Sequence, residues 1–466
     1  MTVIVESPEF LDPGTLEAEI LATGHRTAVA LGRPRMIGVG TATSATSYSQ
    51  EEVLDAFGIT DPRIRSVFLN SAIDRRHLTL PAPDSNGVRA PEPQGDLLDK
   101  HKRMALDMGA EALLACLKRA GAQLSDLRHL CCVTTTGFLT PGLSALLIRE
   151  LGIDRHCSRS DIVGMGCNAG LNALNVVAGW SAANPGELAV VLCVEACSAA
   201  YAVDSTMRTA VVNSLFGDGA AAVALMTSPV TVRPAAPEAP ATRVRAVPAL
   251  PPTAEQATVS EELADTPAAA VIVLMTSPDT VKSPAPRAVA AGARTLAAVP
   301  AAEEPATVPE ALAAVPAVRE GPSILKFASC IIPEAVDAMR YDWDRDQGRF
   351  SFYLDPLIPY VVGAHAEIAV DRLLAGTGLR RSDISHWLVH SGGKKVIDAV
   401  VVNLGLTRHD VRHTTGVLRD YGNVSSGSFL FSYERLLEEE AAKPGEYGVL
   451  MTMGPGSTIE TALVRW

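Results

Sequence analysis

Short apolar runs of strand length alternate with helix-length segments along most of this chain. That alternation restricts it to folds in which helices cover a sheet in layers. Residues 36–39, 130–134, 188–195, 387–389 and 447–453 carry strand-like runs, and Ile162 and Val163 read as a short buried strand. Residues 50–57, 97–121, 143–151, 171–183, 334–341, 359–375, 394–404 and 428–440 read as helices, and 207–215 leads into Phe216-Gly217-Asp218-Gly219. Glu51 and Glu52 fall in the first turn of the 50–57 segment, where the helix dipole favours acid. With 466 residues, 47% of them hydrophobic, the chain can bury a large core organised as two domains or two fused halves. The expected class is α/β.

The alternation stops between residues 217 and 326, a stretch without aromatic, cysteine or histidine residues and rich in Ala, Pro, Val, Thr and Glu. Such a composition buries little large apolar area, so a flexible insert is expected. Within it, Leu225-Met226-Thr227-Ser228-Pro229 and the apolar residues before it return as Leu274-Met275-Thr276-Ser277-Pro278. Two copies are too few for a solenoid; they read as one strand and its exit turn, duplicated and competing for one place in a sheet.

A net charge of −12 speaks against nucleic acid as a partner, since phosphate backbones need a broad basic surface. Arg63, Arg65, Arg75, Arg76 and His77 form a local basic cluster, either a solvated face or a grip for a phosphate-bearing substrate. The first eleven residues carry Glu6 and Glu9 and lack a secretory pattern, and the longest apolar run, 268–275, is too short to span a bilayer. The eight cysteines lie mostly in apolar segments, without zinc-ligand spacing to a histidine pair. They read as free thiols of a cytoplasmic, metal-free protein.

One cysteine has a distinctive setting. Cys167 lies between the apolar pair Ile162-Val163 and the 171–183 helix, flanked by Gly164, Gly166 and Gly170. Three readings fit: a buried structural cysteine, a dinucleotide-binding turn with Glu187 as ribose ligand, or a nucleophile whose thiolate is favoured by free N–H groups at a helix start. The third needs partners elsewhere. His390 stands at a strand end before Ser391-Gly392-Gly393, and Asn423 lies in the turn 420–427. Each alone is an ordinary structural residue; together they place three polar groups at strand and turn ends, where α/β folds build pockets. Asn423-Val424-Ser425 also matches a glycosylation sequon, which carries no weight without a secretory signal. The order Cys, His, Asn occurs in papain-like proteases too, although their local cysteine context is absent.

The wider pattern is more specific. Gly166-Cys167-Asn168-Ala169-Gly170, Leu215-Phe216-Gly217-Asp218-Gly219-Ala220-Ala221, His390-Ser391-Gly392-Gly393, Gly422-Asn423-Val424-Ser425-Ser426 and Gly454-Pro455-Gly456-Ser457-Thr458-Ile459-Glu460 resemble, in this order, the signature stretches of type III polyketide synthases, the chalcone synthase-like group. Residues 73–79, 194–201, 339–344 and 413–423 resemble the bacterial branch serving glycopeptide-antibiotic pathways. The resemblance covers about 36–226 and 325–466 and excludes the Ala/Pro-rich insert.

This resemblance implies a thiolase-like five-layer αβαβα sandwich of two similar halves, forming a homodimer. The chain would divide into an arm (1–35), an N-terminal half with the nucleophile (36–226), the insert (227–322) and a C-terminal half with His390 and Asn423 (323–466). It implies that Cys167 carries the growing chain while His390 and Asn423 hold the enolate from malonyl-CoA, without a cofactor, and that repeated condensation and cyclisation give 3,5-dihydroxyphenylacetyl-CoA. Phe216 and Phe352 match the aromatic gatekeepers, Ala200 and Ser425 cavity-lining positions, Gly392 and Gly393 the glycine-rich run after the histidine, and Gly454, Pro455 and Gly456 the cyclisation loop. Arg63 and Arg65 fall near the basic positions that bind CoA phosphates. Enoyl-CoA hydratase-like pathway enzymes are implied as partners. A ketoacyl synthase III-like condensing enzyme and a non-catalytic scaffold of the same fold are the rival readings. The glycine loops speak against the first, and the intact Cys, His and Asn against the second.

Overall fold

The computed structural model describes residues 32–85, 87, 89–201, 206–228 and 321–466. In chain order the first elements are β1 (Pro34–Ala42), β2 (Ser47–Ser49), α1 (Gln50–Ala56), α2 (Pro62–Leu69), β3 (Arg75–His77), α3 (Gln94–Ala120), β4 (Leu127–Val133), α4 (Leu143–Leu151), β5 (Ser158–Ile162), α5 (Ala169–Ala183), β6 (Leu188–Glu195), α6 (Met207–Leu215) and β7 (Gly219–Thr227). They are followed by β8 (Ser323–Ile331), β9 (Met339–Asp344), β10 (Arg349–Leu354), α7 (Ile358–Leu374), β11 (Ile384–Val389), α8 (Lys394–Leu404), α9 (Arg412–Tyr421), α10 (Ser428–Glu438), β12 (Tyr447–Gly454) and β13 (Thr458–Arg465).

Nine strands join in the order β11-β12-β13-β8-β1-β7-β6-β4-β5. Outward from the centre, β1-β7-β6-β4 and β8-β13-β12-β11 have the same pattern of two antiparallel pairings followed by one parallel pairing. The two sets meet through the pairing of Arg35 with Ser323. The chain therefore builds one topological unit twice.

β6 is buried along its whole length, as its unbroken apolar run requires of a strand covered on both faces. Its alternate side chains enter different cores. Val190 and Leu192 pack with Met108, Ala112 and Cys116 of α3, whereas Val191 and Cys193 join Leu171 and Leu174 of α5 and Phe429 and Leu430 of α10. Leu450 and Val464 of the second set face this same middle cluster, and Met451 and Leu463 face Val370 of α7 and Ile397 of α8. The layers thus run helix, sheet, paired central helices, sheet, helix. Each fully buried Val or Leu contributes about 1.5–3 kcal/mol, which makes the central α5–α10 layer the structural keystone.

Two sequence expectations need correction. The segment 334–341 is not a helix: a 3-10 turn, Pro333–Ala338, leads into β9, which forms an antiparallel hairpin with β10. Met339, Tyr341 and Trp343 alternate with Arg340, Asp342 and Asp344, and pairing across the hairpin overrides the helix preference of the Glu-Ala-Val-Asp-Ala lead-in. Nor do Ile162 and Val163 form a buried strand. β5 is the last strand of its sheet edge, and Val163 is 53% exposed just beyond it.

The first repeat copy, Ala221–Thr227, belongs to β7. The second copy and residues 229–320 of the insert lie outside the described residues. All eight cysteines are unpaired thiols. Among the described residues no helix is long and apolar enough to cross a membrane, and no cluster of His, Cys, Asp and Glu forms a metal-holding group.

Candidate active site

Beyond β5 the chain turns through Gly164 (φ 78°) and Gly166 (φ 71°) into a 3-10 turn, Gly166–Asn168, that runs directly into α5. These glycines adopt the left-handed conformation without strain, and they deliver Cys167 to the head of the central helix. The Cys167 Sγ lies 3.5 Å from the Ser425 Oγ and is hydrogen-bonded by the Asn423 side chain. Burial pushes the thiol up to about 12; the Ser425 contact lowers it, the Glu195 carboxyl raises it, and Asn423 lowers it. Desolvation therefore outweighs the helix-start N–H groups expected to favour a thiolate.

Asn423 follows Gly422 at the end of α9. Its backbone N–H donates to the Leu215 carbonyl at 2.8 Å, and it pairs with Phe216 in an isolated bridge. Its Oδ1 accepts the Ser425 N–H at 2.8 Å, a local side-chain turn that leaves the amide NH₂ as the outward-facing donor. Ser425 takes a left-handed φ of 50°, a conformation that costs a non-glycine residue about 1 kcal/mol or more and that turns its hydroxyl toward the thiol.

His390 directly follows β11, where its backbone N–H donates to the Met451 carbonyl at 2.8 Å. Its Nδ1 pairs with the Ser428 hydroxyl at the first residue of α10. Burial drives the imidazole down to about 3. Burial thus disfavours the charged form of both the imidazole and the thiol, against the helix-start activation expected for Cys167. Gly392 lies under the ring, where a Cβ would come within 3.2 Å of Nε2. The Ser391 hydroxyl donates to the Gly422 carbonyl at 3.3 Å, tying the histidine loop to the Asn423 turn.

The other expected positions fall in two groups. Phe216 and Phe352 share an apolar cluster with Cys167, ring centroids 6.1 Å apart and nearly perpendicular. Ala200 lines a cleft with Tyr201, Asn213, Phe350 and Phe352, and Gly393 packs against Leu215. Gly454 abuts the nucleophile turn so closely that a Cβ would lie 2.3 Å from the Asn168 Oδ1 and 3.0 Å from the Cys167 N. Pro455 fills the space beside Gly166, and Gly456 has a φ of 109°.

The basic cluster, by contrast, is dispersed. Arg63 pairs with Asp61 on an exposed face, while Arg65 donates to the Ile59 carbonyl at 3.0 Å and lies 3.5 Å from Asp55. Arg75 binds Ser47. Arg76 is buried and donates to the Asn213 and Phe216 carbonyls and to the Gln50 Oε1. It props the gatekeeper segment from behind.

Sequence reasoning passed over a second polar network. Glu195, at the end of β6 and fully buried, accepts the Thr135 N–H at 3.0 Å, the Thr135 hydroxyl at 2.9 Å and the Ser426 hydroxyl. The Thr135 Oγ1 is 3.5 Å from the Ser425 Oγ, so a line of hydroxyls connects this carboxyl with the thiol's neighbour. The available signal was a lone acid closing an otherwise apolar strand.

His101 of α3 buttresses the loop carrying Thr135, with its Nδ1 3.3 Å from the Thr136 Oγ1 and its Nε2 3.5 Å from the Thr134 Oγ1. Burial lowers this imidazole from 6.5 to about 4. A depressed folded-state value means that protonation favours the unfolded chain. The stability His101 contributes is therefore complete above about pH 6.5 and is lost as the pH falls toward 4. Between pH 7 and 5 the loss amounts to about 2 kcal/mol. Denaturant titrations of wild type and His101→Gln at both pH values check this, the variant losing about 2 kcal/mol less. Asp218 and Glu195, which burial shifts upward, are present in both proteins and cancel in the difference.

The sheet order, the paired central helices, and a buried cysteine with asparagine and serine at its helix start and a buried histidine on a loop tied to the asparagine turn define a condensing enzyme of the thiolase-like fold. Sequence models of the N-terminal and C-terminal domains of chalcone and stilbene synthases match residues 96–229 and 327–466. The chain belongs to this family, the type III polyketide synthases. It is 66% identical over 466 residues to a 3,5-dihydroxyphenylacetyl-CoA synthase of Streptomyces toyocaensis, covering 100% of this chain and 98% of the relative. It is 63% identical to the enzyme of the same name from Amycolatopsis orientalis, over 93% of each chain. Among solved structures, PKS-I of the brown alga Ectocarpus siliculosus superposes with a TM-score of 0.70 at 21% identity, covering 93% of this chain and 98% of the other. The 1,3,6,8-tetrahydroxynaphthalene synthase of Streptomyces coelicolor A3(2) does so with 0.67 at 22%, covering 93% and 99%. These two likenesses carry the fold.

Proposed function

We propose that this protein builds 3,5-dihydroxyphenylacetyl-CoA from malonyl-CoA by repeated decarboxylative Claisen condensation on Cys167. The observation that carries the reading is a buried thiol hydrogen-bonded by Asn423, with a buried imidazole on the loop that Ser391 ties to the Asn423 turn. As the Cys167 sulfur attacks a CoA thioester, its proton passes to His390 and on to the departing CoA thiolate, which leaves as free CoA. A malonyl-CoA then loses CO₂. The bonding pair moves onto the thioester as an enolate, whose oxygen accepts hydrogen bonds from His390 and Asn423. In a site closed to water each such donor contributes about 3 kcal/mol to the step. The enolate carbon attacks the acyl carbonyl, the Cys167 thiolate leaves, and the lengthened β-ketoacyl-CoA reloads the cysteine for the next round.

Phe216 and Phe352 close the apolar entrance, Ala200 leaves room for the chain, and the 454–456 loop shapes the wall at which it cyclises. Arg63 and Arg65 belong to the CoA-binding rim in this reading. The active form is a homodimer that works in the cytoplasm without a cofactor, and enoyl-CoA hydratase-like enzymes are its pathway partners for completing the loss of water. Family membership favours this reading over a ketoacyl synthase III-like enzyme or a scaffold.

The test is incubation of the purified protein with malonyl-CoA as the sole acyl source, followed by mass spectrometry. A dihydroxyphenylacetyl thioester is the expected product. Consumption of malonyl-CoA without any aromatic product would overturn the assignment.

A further inference from the structure

The hairpin that replaces the expected 334–341 helix carries one continuous apolar face. Met339, Tyr341 and Trp343 stand opposite Leu354, Phe352 and Phe350. Strand alternation puts all six on one side, and the face passes from buried Met339 and Phe352 to half-exposed Trp343 and Phe350. Its inner end meets Tyr201, from the turn after β6. The Tyr201 ring stacks on Phe216 at 4.2 Å, lies parallel to Tyr341 at 6.2 Å and meets Phe352 edge-on at 5.6 Å. Phe216, Phe352 and Tyr201 all pack in the cluster that contains Cys167.

Of the four rings at this inner end, only the two tyrosines bear a polar atom. The Tyr341 ring keeps 37% exposure, lies parallel to Tyr201 and meets Phe352 edge-on at 5.0 Å, and its hydroxyl is a hydrogen-bonding neighbour of the Tyr201 hydroxyl. Desolvation holds both phenols well above their ordinary range, so they remain neutral donors at every pH at which the protein is folded. One hydroxyl donates to the other, which leaves one O–H to offer. A wall of aromatic faces with a single donating hydroxyl pair suits a chain of alternating methylenes and ketones: the methylenes pack on rings, and one carbonyl oxygen accepts the free O–H. Ala200, next to Tyr201, leaves space for that chain.

We propose that the Tyr201–Tyr341 hydroxyl pair determines product specificity, holding one ketone oxygen of the growing chain so that it folds for carbon–carbon ring closure. This rests on the polyketide-forming reading above. The pair acts on the bound chain, not on loading of Cys167, so removing the hydroxyls while keeping the rings should separate chain building from ring formation.

Tyr201→Phe, Tyr341→Phe and the double variant are incubated with malonyl-CoA, and total malonyl-CoA consumed is measured beside the ratio of aromatic carbocycle to lactone and open-chain products. The expected result is a fall of about tenfold in that ratio, the effect of one hydrogen bond, with consumption within about threefold of wild type. A double variant with the wild-type product ratio overturns the proposal. So does a parallel loss of consumption and product, which marks a packing role. Should the double variant fail to fold, fluorotyrosine at position 341 preserves the ring and strengthens the donor; an unchanged ratio there overturns the proposal equally. Wild type yielding no aromatic product would instead sink the polyketide reading itself.

Discussion

Cys167→Ala loses product formation by at least about a thousandfold, because removing a nucleophile leaves only binding and oxyanion stabilisation. The same variant still converts malonyl-CoA to acetyl-CoA and CO₂. Decarboxylation needs the donors of His390 and Asn423 and no sulfur, and in the absence of an acyl acceptor the enolate takes a proton. Little repacking accompanies the change, since the thiol meets one hydroxyl and one amide in an otherwise apolar cluster. Product and acetyl-CoA quantified from one reaction read both outcomes. Retained aromatic product, or loss of both reactions together, would contradict the division of labour between the sulfur and the enolate donors.

Gly170→Ala is expected to destabilise the fold strongly. An added Cβ would stand 2.2 Å from the Ser426 carbonyl oxygen, 2.9 Å from the Cys193 Sγ and 3.0 Å from the Phe429 ring. That carbonyl belongs to the buried turn between Asn423 and α10, which cannot withdraw without moving Ser425 and the Ser426–Glu195 hydrogen bond. Overpacking of this kind costs about 3 kcal/mol or more. Gly179, on the same helix, provides the control, for nothing lies within 4 Å of its added Cβ. Gly179→Ala should stabilise by about 0.5–1 kcal/mol, through the unfolded chain's lost freedom. Denaturant midpoints of the two variants should therefore move in opposite directions. Equal and small shifts would show that the central helix pair is less tightly fitted than its geometry indicates.

The parts of this molecule that its sequence disclosed are those governed by local chemistry. β6, α4 and α8 were readable to the residue because an unbroken apolar run or an apolar stripe between glycines has one local solution. Cys167, His390 and Asn423 stood out because glycines and strand ends surround each of them. The β9–β10 hairpin was hidden, because Glu334 to Ala338 is made of good helix formers and the strand that follows depends on a partner ten residues away. α9 was hidden for the opposite reason: apart from Val417 and Leu418, its buried residues are His413, Thr414 and Gly416, which show no apolar stripe.

Electrostatics were the least legible. A helix start beside a cysteine suggested a thiolate, but burial raises the Cys167 thiol and lowers the His390 imidazole, and burial is a property of the assembled layers. Glu195 likewise acquires its setting only when Thr135 and Ser426 arrive from different parts of the chain. The same holds for Tyr201 and Tyr341, which are separated in the chain by the whole insert and whose rings meet only in the folded protein.

The most direct test of the central claim, that the growing chain is carried on one buried sulfur, is peptide mass spectrometry of enzyme quenched during turnover with malonyl-CoA. The account predicts a ladder of acyl adducts on the peptide containing Cys167, each step one ketide unit heavier, with the other seven cysteines unmodified. Aromatic product formed at full rate with no adduct on that peptide would contradict it.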